Sequence, residues 1–169
     1  MTVRILVAIG ANLPAPGGAS PEVSCRSAIE ALRGLPALRL VSVSGLYETV
    51  PDPPSDQPLY VNAVALLEAD APPDPADLLA RLLAIEAVHG RARGEANAAR
   101  TLDLDLIAIE AVVRDSPDPI LPHPRAHLRG FVLRPLVDVA PDWVHPRLGL
   151  TACALLAGLP SEPMRLIGR

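Results

Sequence analysis

The sequence runs Arg100-Thr101-Leu102-Asp103-Leu104-Asp105-Leu106 near its middle, and this stretch decides the fold. Its leucines alternate with polar residues, which predicts a β-strand with one buried face. Asp103 and Asp105 then point the same way, with backbones about 6.7 Å apart at a rise of about 3.3–3.4 Å per residue. Adjacent carboxylates repel each other, and aspartate is a poor strand former. A divalent cation between them relieves this conflict, because hard oxygen ligands suit Mg²⁺.

Two other interpretations of the aspartate pair stay open at this point. The spacing also suits two ions about 3.5–4 Å apart, as in two-metal phosphoryl chemistry. It is equally typical of a solvated strand face that carries two acids of no special role. Asp-x-Asp alone does not distinguish these interpretations, so the surrounding residues must do so.

The basic residues are all arginine: the chain has fifteen of them and no lysine. A P-loop, a Schiff-base enzyme and a pyridoxal-phosphate enzyme each need a lysine, so these classes are excluded. Seven of the fifteen arginines fall between His89 and Arg134, around the aspartate pair. Carboxylates that bind metal, together with guanidinium groups that bind phosphate oxygens, are what a nucleoside polyphosphate needs. The combination favours an enzyme that handles phosphate.

Length and composition set the outer bounds. At 169 residues we expect a single domain over 1–169, with a loosely held tail over 160–169. No apolar run approaches ~20 residues and residues 1–10 lack the zones of a signal peptide, so we expect no membrane span and no secretion. Cys25 and Cys153 are far apart, which predicts reduced thiols in a cytoplasmic protein. The net charge of −4 argues against nucleic-acid binding.

Other local patterns predict strands and helices around the central stretch. Apolar or alternating runs predict strands at Val3–Ile9, Leu38–Ser44 (extending to Thr49) and Tyr60–Glu68, a hairpin partner at Val112–Val113 and a brief edge strand at Trp143–Pro146. Capping residues and apolar faces predict helices that begin at Pro21, Asp74-Pro75, His127 and Thr151 and end near Gly34, Gly90, Leu136 and Leu159.

The segment Val50–Pro58 is too rich in proline to form a helix or a central strand. Such a stiff loop can hold backbone groups in place for a flat polar ligand, or it can be a simple connector. Tyr60 and Asn62 follow it on one face of the next strand, where a ring and an amide can stack on and hydrogen-bond a heterocycle. Taken alone, both side chains are more often structural.

Seven motifs occur in an order that identifies a family. They are Ala8-Ile9-Gly10-Ala11-Asn12-Leu13, Leu46-Tyr47-Glu48-Thr49, Asp56-Gln57-Pro58-Leu59-Tyr60-Val61-Asn62-Ala63, Gly90-Arg91-Ala92-Arg93, Arg100 to Leu106, Leu121-Pro122-His123-Pro124-Arg125 and Arg129-Gly130-Phe131-Val132-Leu133. With them the chain resembles the 6-hydroxymethyl-7,8-dihydropterin pyrophosphokinase (HPPK) family of folate biosynthesis over about residues 3 to 159.

This resemblance implies a fold and a reaction. The fold is α+β, a ferredoxin-like α/β sandwich with a central, mostly antiparallel sheet and helices packed on it. The reaction moves pyrophosphate from ATP, the co-substrate, to 6-hydroxymethyl-7,8-dihydropterin and gives AMP and the pterin diphosphate. The pterin hydroxyl attacks the β-phosphorus, and two Mg²⁺ ions bound by Asp103 and Asp105 bridge the phosphates and the attacking oxygen. We expect a monomer.

The resemblance also implies roles for individual residues. Residues that match catalytic positions are Arg91, Arg100, Asp103 and Asp105. Residues that match the pterin pocket are Thr49, Pro51, Asp52, Tyr60, Asn62 and Phe131. Residues that match nucleotide contacts are Gln57, Glu86, Arg91, Arg93, Arg100, His123 and Arg129. No residue matches a general base, and His127 and His145 are expected to be structural.

One departure from the family pattern falls just before Arg100. The family commonly has Trp-Gly-Pro there, in a mobile loop that closes over the substrates, whereas this chain has Asn97-Ala98-Ala99. Asparagine lacks the large apolar surface of tryptophan, so a second hypothesis is a degenerate relative that binds pterin or nucleotide without efficient turnover. The retained Asp103, Asp105, Arg100 and His123 favour the enzyme. A structural Ca²⁺ protein is disfavoured, because no EF-hand spacing is present.

Overall fold

The computed structural model describes residues 1–92, 94 and 96–169, and in these residues six strands form one sheet. The strands are β1 (Val3–Ala11), β2 (Arg39–Val43), β3 (Leu46–Thr49), β4 (Tyr60–Ala69), β5 (Asp103–Ile109) and β6 (Met164–Gly168). The helices are α1 (Pro21–Arg33), α2 (Pro75–Val88), α3 (Gly130–Val139) and α4 (Ala152–Ala157).

The strand order is β5-β1-β4-β3-β6, and β2 pairs with a different part of β4 than β3 does. Every pairing between these strands is antiparallel. The predicted α+β fold with a mostly antiparallel central sheet is therefore confirmed. Within the described part of the chain, no helix is both long and apolar enough to cross a membrane.

Helices cover both faces of the sheet, which explains why β1 is apolar almost throughout. Ile5, Val7 and Ile9 belong to a core that also contains buried residues of α1 and α2. Leu6 and Ala8 point the other way, into a second core formed with α3 and α4. Successive side chains of a strand point to opposite faces, so a strand buried on both faces is a nearly continuous apolar run rather than an alternating one.

Three of the four predicted helix starts agree with the observed caps. Ser20 accepts a hydrogen bond from the Val23 amide at 3.3 Å, and Thr151 accepts one from the Ala154 amide at 3.2 Å. Asp74 accepts from the Asp77 amide at 2.9 Å, with Pro75 in the first helical turn. Each side chain satisfies an amide that has no partner inside its own helix.

The predicted loosely held tail over 160–169 is wrong for half of its length. Met164–Gly168 forms β6, an edge strand that pairs with β3. This segment is too short to show a period of its own, and its hydrogen-bonding partner lies more than a hundred residues earlier in the chain. The pairing is therefore a long-range contact that local patterning cannot reveal.

Three predictions after β5 also differ from the structure. Val112–Val113 is not a hairpin partner, because the chain turns after Ile109 and only Arg114 forms a bridge, with Leu121. Trp143–Pro146 contributes only the single bridge from Val144 to Thr151. The helix expected over His127–Leu136 begins later. The cause is a short 3-10 turn at Ala126–Leu128, after which α3 starts at Gly130 and runs to Val139.

We predict that Leu67→Ala destabilises the protein by about 2–5 kcal/mol, because Leu67 is fully buried on β4 against the α1–α2 core and its removal leaves a cavity. Urea unfolding monitored by circular dichroism measures the change. Val41→Ala, at a 41% exposed position on β2, is the control and should lie within about 0.5 kcal/mol of the parent. Equal effects at the two positions would contradict the two-core description.

Candidate active site

A cavity of about 290 Å³ opens where four strands end together. The register places Gly10 of β1 between Asn62 of β4 and Asp103 of β5, and Thr49 at the end of β3 opposite Tyr60. Residues opposite one another in an antiparallel pair share a face, so these side chains lie on the α3 side of the sheet. The predicted site residues that line the cavity are Thr49, Pro51, Asp52, Gln57, Tyr60, Asn62, Arg100, Asp103, Asp105, Arg129 and Phe131.

Asp103 is held by two arginines. One of its carboxylate oxygens accepts a hydrogen bond from Arg91 at 2.6 Å, and the other accepts one from Arg100 at 2.7 Å. Arg91 also donates to the Leu102 carbonyl at 2.8 Å, which fixes the guanidinium below the start of β5. Charge-assisted contacts of this length are strong and directional, so Asp103 is fixed in orientation.

Among the described residues, no arginine donates a hydrogen bond to the Asp105 carboxylate. Burial, and secondly the nearby charge of Asp103, raise the pKa of Asp105 to about 6. The repulsion expected from the sequence is thus present in the structure. On β1 the two carboxylates face Ala8 and Gly10, whose small side chains leave space above this part of the sheet.

The two aspartates are suitable ligands for Mg²⁺. Among the described residues there is no group of three or more His, Cys, Asp or Glu side chains that could hold a metal ion. Mg²⁺ does not need one, because it is usually bound by one or two carboxylates together with phosphate oxygens and waters. Each oxygen of Asp103 keeps a second lone pair beside its arginine contact.

Glu86 was predicted to contact the nucleotide, and the structure does not bring it to the cavity. Its side chain is buried and accepts a hydrogen bond from the Leu104 amide at 2.7 Å. It also lies 3.7 Å from Arg91, and burial raises its pKa. Glu86 therefore supports the backbone between the two aspartates and the arginine that holds one of them.

His123 lies on the far side of Asp105, in a second cavity of about 250 Å³. Its Nε2 is 4.0 Å from a carboxylate oxygen of Asp105, and its backbone amide donates to the Ile107 carbonyl at 2.8 Å. Burial, followed by the charges of Arg129 and Arg125, lowers its pKa to about 4. His123 is therefore neutral at pH 7. Arg91 lines neither cavity, and Arg93 lies outside the described residues.

Asn62 is oriented by its neighbours. Its amide nitrogen donates to the Thr49 hydroxyl at 2.7 Å, and its oxygen faces Gly10. A Cβ at Gly10 would lie 3.0 Å from that oxygen, so glycine is what leaves room for it. On the opposite side, the Arg129 guanidinium lies 5.4 Å from the centre of the Phe131 ring. An oriented amide and an aromatic ring that line one cavity suit a flat heterocycle with polar edges.

Asn12 lies behind the cavity, and no role was predicted for it from the sequence. It is 1% exposed, and its amide nitrogen donates to Gln57 at 3.2 Å and to the Pro58 carbonyl at 3.1 Å. Its oxygen accepts from the Arg100 amide at 2.8 Å. Asn12 thus ties the proline-rich loop to the start of the aspartate strand. An asparagine directly after a buried strand was the only available signal, and many loop asparagines share it.

The end of the expected lid lies against the cavity through its backbone. Asn97 and Ala96 line the cavity, and Gln57 donates to the Asn97 carbonyl at 2.9 Å. Arg100 donates to the Ala98 carbonyl at 3.0 Å. Asn97 has a φ of 60°, a left-handed conformation that asparagine adopts more readily than bulky residues do. Tryptophan at this position would therefore be strained in this backbone.

Comparisons with known proteins agree with this geometry. The family described as 7,8-dihydro-6-hydroxymethylpterin-pyrophosphokinase (HPPK) matches residues 6–141. A Pseudomonas aeruginosa protein named 2-amino-4-hydroxy-6-hydroxymethyldihydropteridine pyrophosphokinase is 42% identical over 162 residues, which cover 96% of this chain and 95% of that protein. The folic acid synthesis protein fol1 of Schizosaccharomyces pombe is 36% identical over 141 residues, 83% of this chain and 19% of that longer protein.

A solved structure shows the same fold. A crystal structure of a Plasmodium falciparum HPPK-DHPS triple mutant matches with a TM-score of 0.68 and 12% identity, over 93% of this chain and 44% of that one. At this identity the likeness concerns the fold alone.

We predict that Asn12→Ala lowers the free energy of unfolding by about 1–3 kcal/mol, because it leaves the Arg100 amide and the Pro58 carbonyl without their buried partner. Thermal and urea unfolding measure the loss. Gln57→Ala is the comparison: its hydrogen bonds to Asn12, Asn97 and Tyr60 are partly buried or exposed, so water can replace them and the substitution should cost less. A greater loss for Gln57→Ala than for Asn12→Ala would show that Asn12 does not connect these segments.

Proposed function

The chain belongs to the 7,8-dihydro-6-hydroxymethylpterin-pyrophosphokinase family, and we propose that it transfers pyrophosphate from ATP to the hydroxymethyl group of 6-hydroxymethyl-7,8-dihydropterin. The products are AMP and the pterin diphosphate, in folate biosynthesis. The observation that carries the proposal is the position of Asp105, which lines both cavities at once. A carboxylate pair at the junction of two binding spaces suits a transfer from a ligand in one to a ligand in the other.

The larger cavity is proposed to hold the pterin. Asn62 offers an amide edge fixed by Thr49, and Phe131 offers a ring face. The backbone around Pro51 and Asp52 lines the same space and supplies further polar groups for the remaining edge of the heterocycle. Tyr60 lies beside them, hydrogen-bonded to Gln57 at 3.1 Å.

The smaller cavity is proposed to hold the nucleotide. Its walls are mostly apolar, which suits a purine base, and it meets the larger cavity at Asp105. Its lining residues are Leu79, Asp105, Leu106, Asp118, Pro119, Ile120, His123 and Pro124. The triphosphate then lies at the junction, near His123, Arg100 and Arg129. Burial, and then the charge of Arg125, lower the pKa of Arg129, so a phosphate at this position would relieve an unfavourable environment.

In the reaction, the pterin hydroxyl oxygen attacks the β-phosphorus and releases its proton to solvent, the bond from that phosphorus to the oxygen of the α-phosphate breaks, and AMP leaves. Asp103 and Asp105 are proposed to hold two Mg²⁺ ions, which would neutralise the phosphate charge. Arg91 and Arg100 keep Asp103 in place, Arg129 contributes positive charge, and the 96–100 segment limits access of water. Position and electrostatics therefore account for most of the catalysis.

The test is to incubate the protein with ATP, Mg²⁺ and 6-hydroxymethyl-7,8-dihydropterin and to separate the nucleotides formed. We expect AMP and the pterin diphosphate in equal amounts, and no AMP when the pterin is omitted. ADP as the product would contradict pyrophosphoryl transfer. Binding of both substrates without any AMP would favour the alternative that the chain is a binding protein that has lost turnover.

We predict that Asp103→Asn and Asp105→Asn each abolish AMP formation but change the metal-free protein in opposite ways. Asp105→Asn should raise the melting temperature at about pH 8, because the ionised form of a carboxyl with a raised pKa destabilises the fold. Asp103→Asn should lower it, because Arg91 and Arg100 lose their ionised partner.

The pH dependence checks the cause of the Asp105→Asn effect. Below the usual pKa of aspartate the carboxyl is protonated in both folded and unfolded protein, so the gain should disappear toward about pH 4. Thermal melts in a chelating buffer at several pH values measure it. A lower melting temperature for Asp105→Asn at high pH would mean that this carboxylate stabilises the fold.

We predict that Arg129→Ala weakens binding of a non-hydrolysable ATP analogue with Mg²⁺ by about 10- to 150-fold, the size expected for one charge-assisted contact to phosphate. Isothermal titration calorimetry measures it. The neighbouring Arg125 is exposed and lines neither cavity, so Arg125→Ala is the matched control and should have a smaller effect that salt suppresses. Equal losses for the two variants would show that only the overall charge matters here.

A further inference from the structure

We propose that Met164, in the C-terminal strand β6, is a positioning residue that holds the two walls of the pterin cavity in register. The inference rests on the proposed function, because it assumes that pterin occupies the larger cavity. Met164 does not line that cavity itself, so it acts through its neighbours. It also lies beyond residues 6–141, the part of the chain that matches the family.

The first wall is strand β3. In the pairing of β6 with β3, Met164 lies directly opposite Thr49. Thr49 is buried, and its hydroxyl accepts the hydrogen bond that orients the Asn62 amide. Opposite residues in an antiparallel pair have their side chains on one face, so Met164 lies on the cavity side of the sheet. The position of β6 therefore helps to set that of Thr49 and, through it, of Asn62.

The second wall is the start of helix α3. A Cβ built on Gly130 would lie 3.1 Å from the terminal methyl carbon of Met164 and 2.9 Å from a carboxylate oxygen of Glu162. The C-terminal segment thus packs directly against the first residue of α3. Arg129 and Phe131, the residues on either side of Gly130, both line the cavity. A change in the Met164 side chain is transmitted to both of them.

The start of α3 depends on this packing, because no side chain caps it. Arg129 occupies the N-cap position without a capping hydrogen bond. Backbone hydrogen bonds join Arg129 to the preceding turn and to α3, and in the absence of a side-chain cap the packing of Met164 adds a long-range contact at this helix start. Methionine suits the contact, because its flexible, unbranched side chain fills irregular spaces. Gly130 suits it as well, because a side chain there would have to displace the ends of the Met164 and Glu162 side chains.

The first experiment measures pterin binding to protein saturated with Mg²⁺ and a non-hydrolysable ATP analogue. Met164→Ala should weaken pterin binding by about tenfold and leave the affinity for the analogue within about twofold of the parent. Met164→Leu should restore most of the pterin affinity, because it refills the space. Gly130→Ala should also weaken pterin binding, since the added methyl group collides with the C-terminal segment.

Leu166→Ala is the matched control on the same strand. Leu166 pairs with Tyr47 and packs over Gly45, away from the start of α3, so its truncation should lower thermal stability without selective loss of pterin affinity. Equal weakening of pterin binding by Leu166→Ala and Met164→Ala would overturn the proposal, because the effect would then follow from general destabilisation. Unchanged pterin affinity in Met164→Ala would also overturn it.

A second measurement needs no substitution. The chain has two methionines, and the other, Met1, is fully exposed at the N-terminus. With ¹³C-methyl methionine, addition of pterin should shift the Met164 methyl resonance and leave Met1 unchanged as an internal reference. Pterin binding without a shift of Met164 would overturn the proposed role. Absence of pterin binding to the unaltered protein would overturn the proposed function, and this inference with it.

Discussion

Repulsion between Asp103 and Asp105 is the constraint on which the rest of the site depends. Two carboxylates on one face of β5 are unfavourable in the ligand-free protein, and the structure offsets only part of the cost. Asp103 is neutralised by two arginines, whereas the pKa of Asp105 is raised by burial and by its neighbour. A cation between the two carboxylates would relieve the repulsion that remains. Sites of this kind lower the stability of the ligand-free protein, because carboxylates with more hydrogen-bond partners inside the protein would bind a metal ion less tightly.

The fold keeps this arrangement in place through contacts behind the cavity. Glu86 accepts a hydrogen bond from the backbone amide of Leu104, which lies between the two aspartates. The apolar side chains on the other face of β5 pack into the α1–α2 core. Asn12 ties the beginning of β5 to the proline-rich loop. On the other side, β6 pairs with β3 and its Met164 packs against the start of α3. The side chains that line the cavity therefore lie at one end of the sheet and on two loops, and the hydrophobic core holds these elements in place.

The alternation around Asp103 and Asp105 was sufficient to predict the central strand and the shared direction of the two carboxylates. Period two depends only on neighbouring residues, and it is confirmed by the burial of Leu104 and Leu106 on the opposite face. The roles of Asn12 and Met164 were not predictable in this way. Asn12 contacts residues 45 to 88 positions away, and β6 pairs with a strand more than a hundred residues earlier. Glu86 matched a family position, but only the structure shows that its side chain is turned into the core.

The central claim is that the aspartate pair binds metal ions together with nucleotide, and electron paramagnetic resonance with Mn²⁺ in place of Mg²⁺ tests it most directly. The account predicts two Mn²⁺ ions per chain in the presence of a non-hydrolysable ATP analogue, close enough for their spins to couple. Asp103→Asn and Asp105→Asn should each remove the coupling and lower the number of bound ions. Two coupled ions that persist in both variants, or an unaltered protein that binds no Mn²⁺ beyond that carried by the nucleotide, would contradict it.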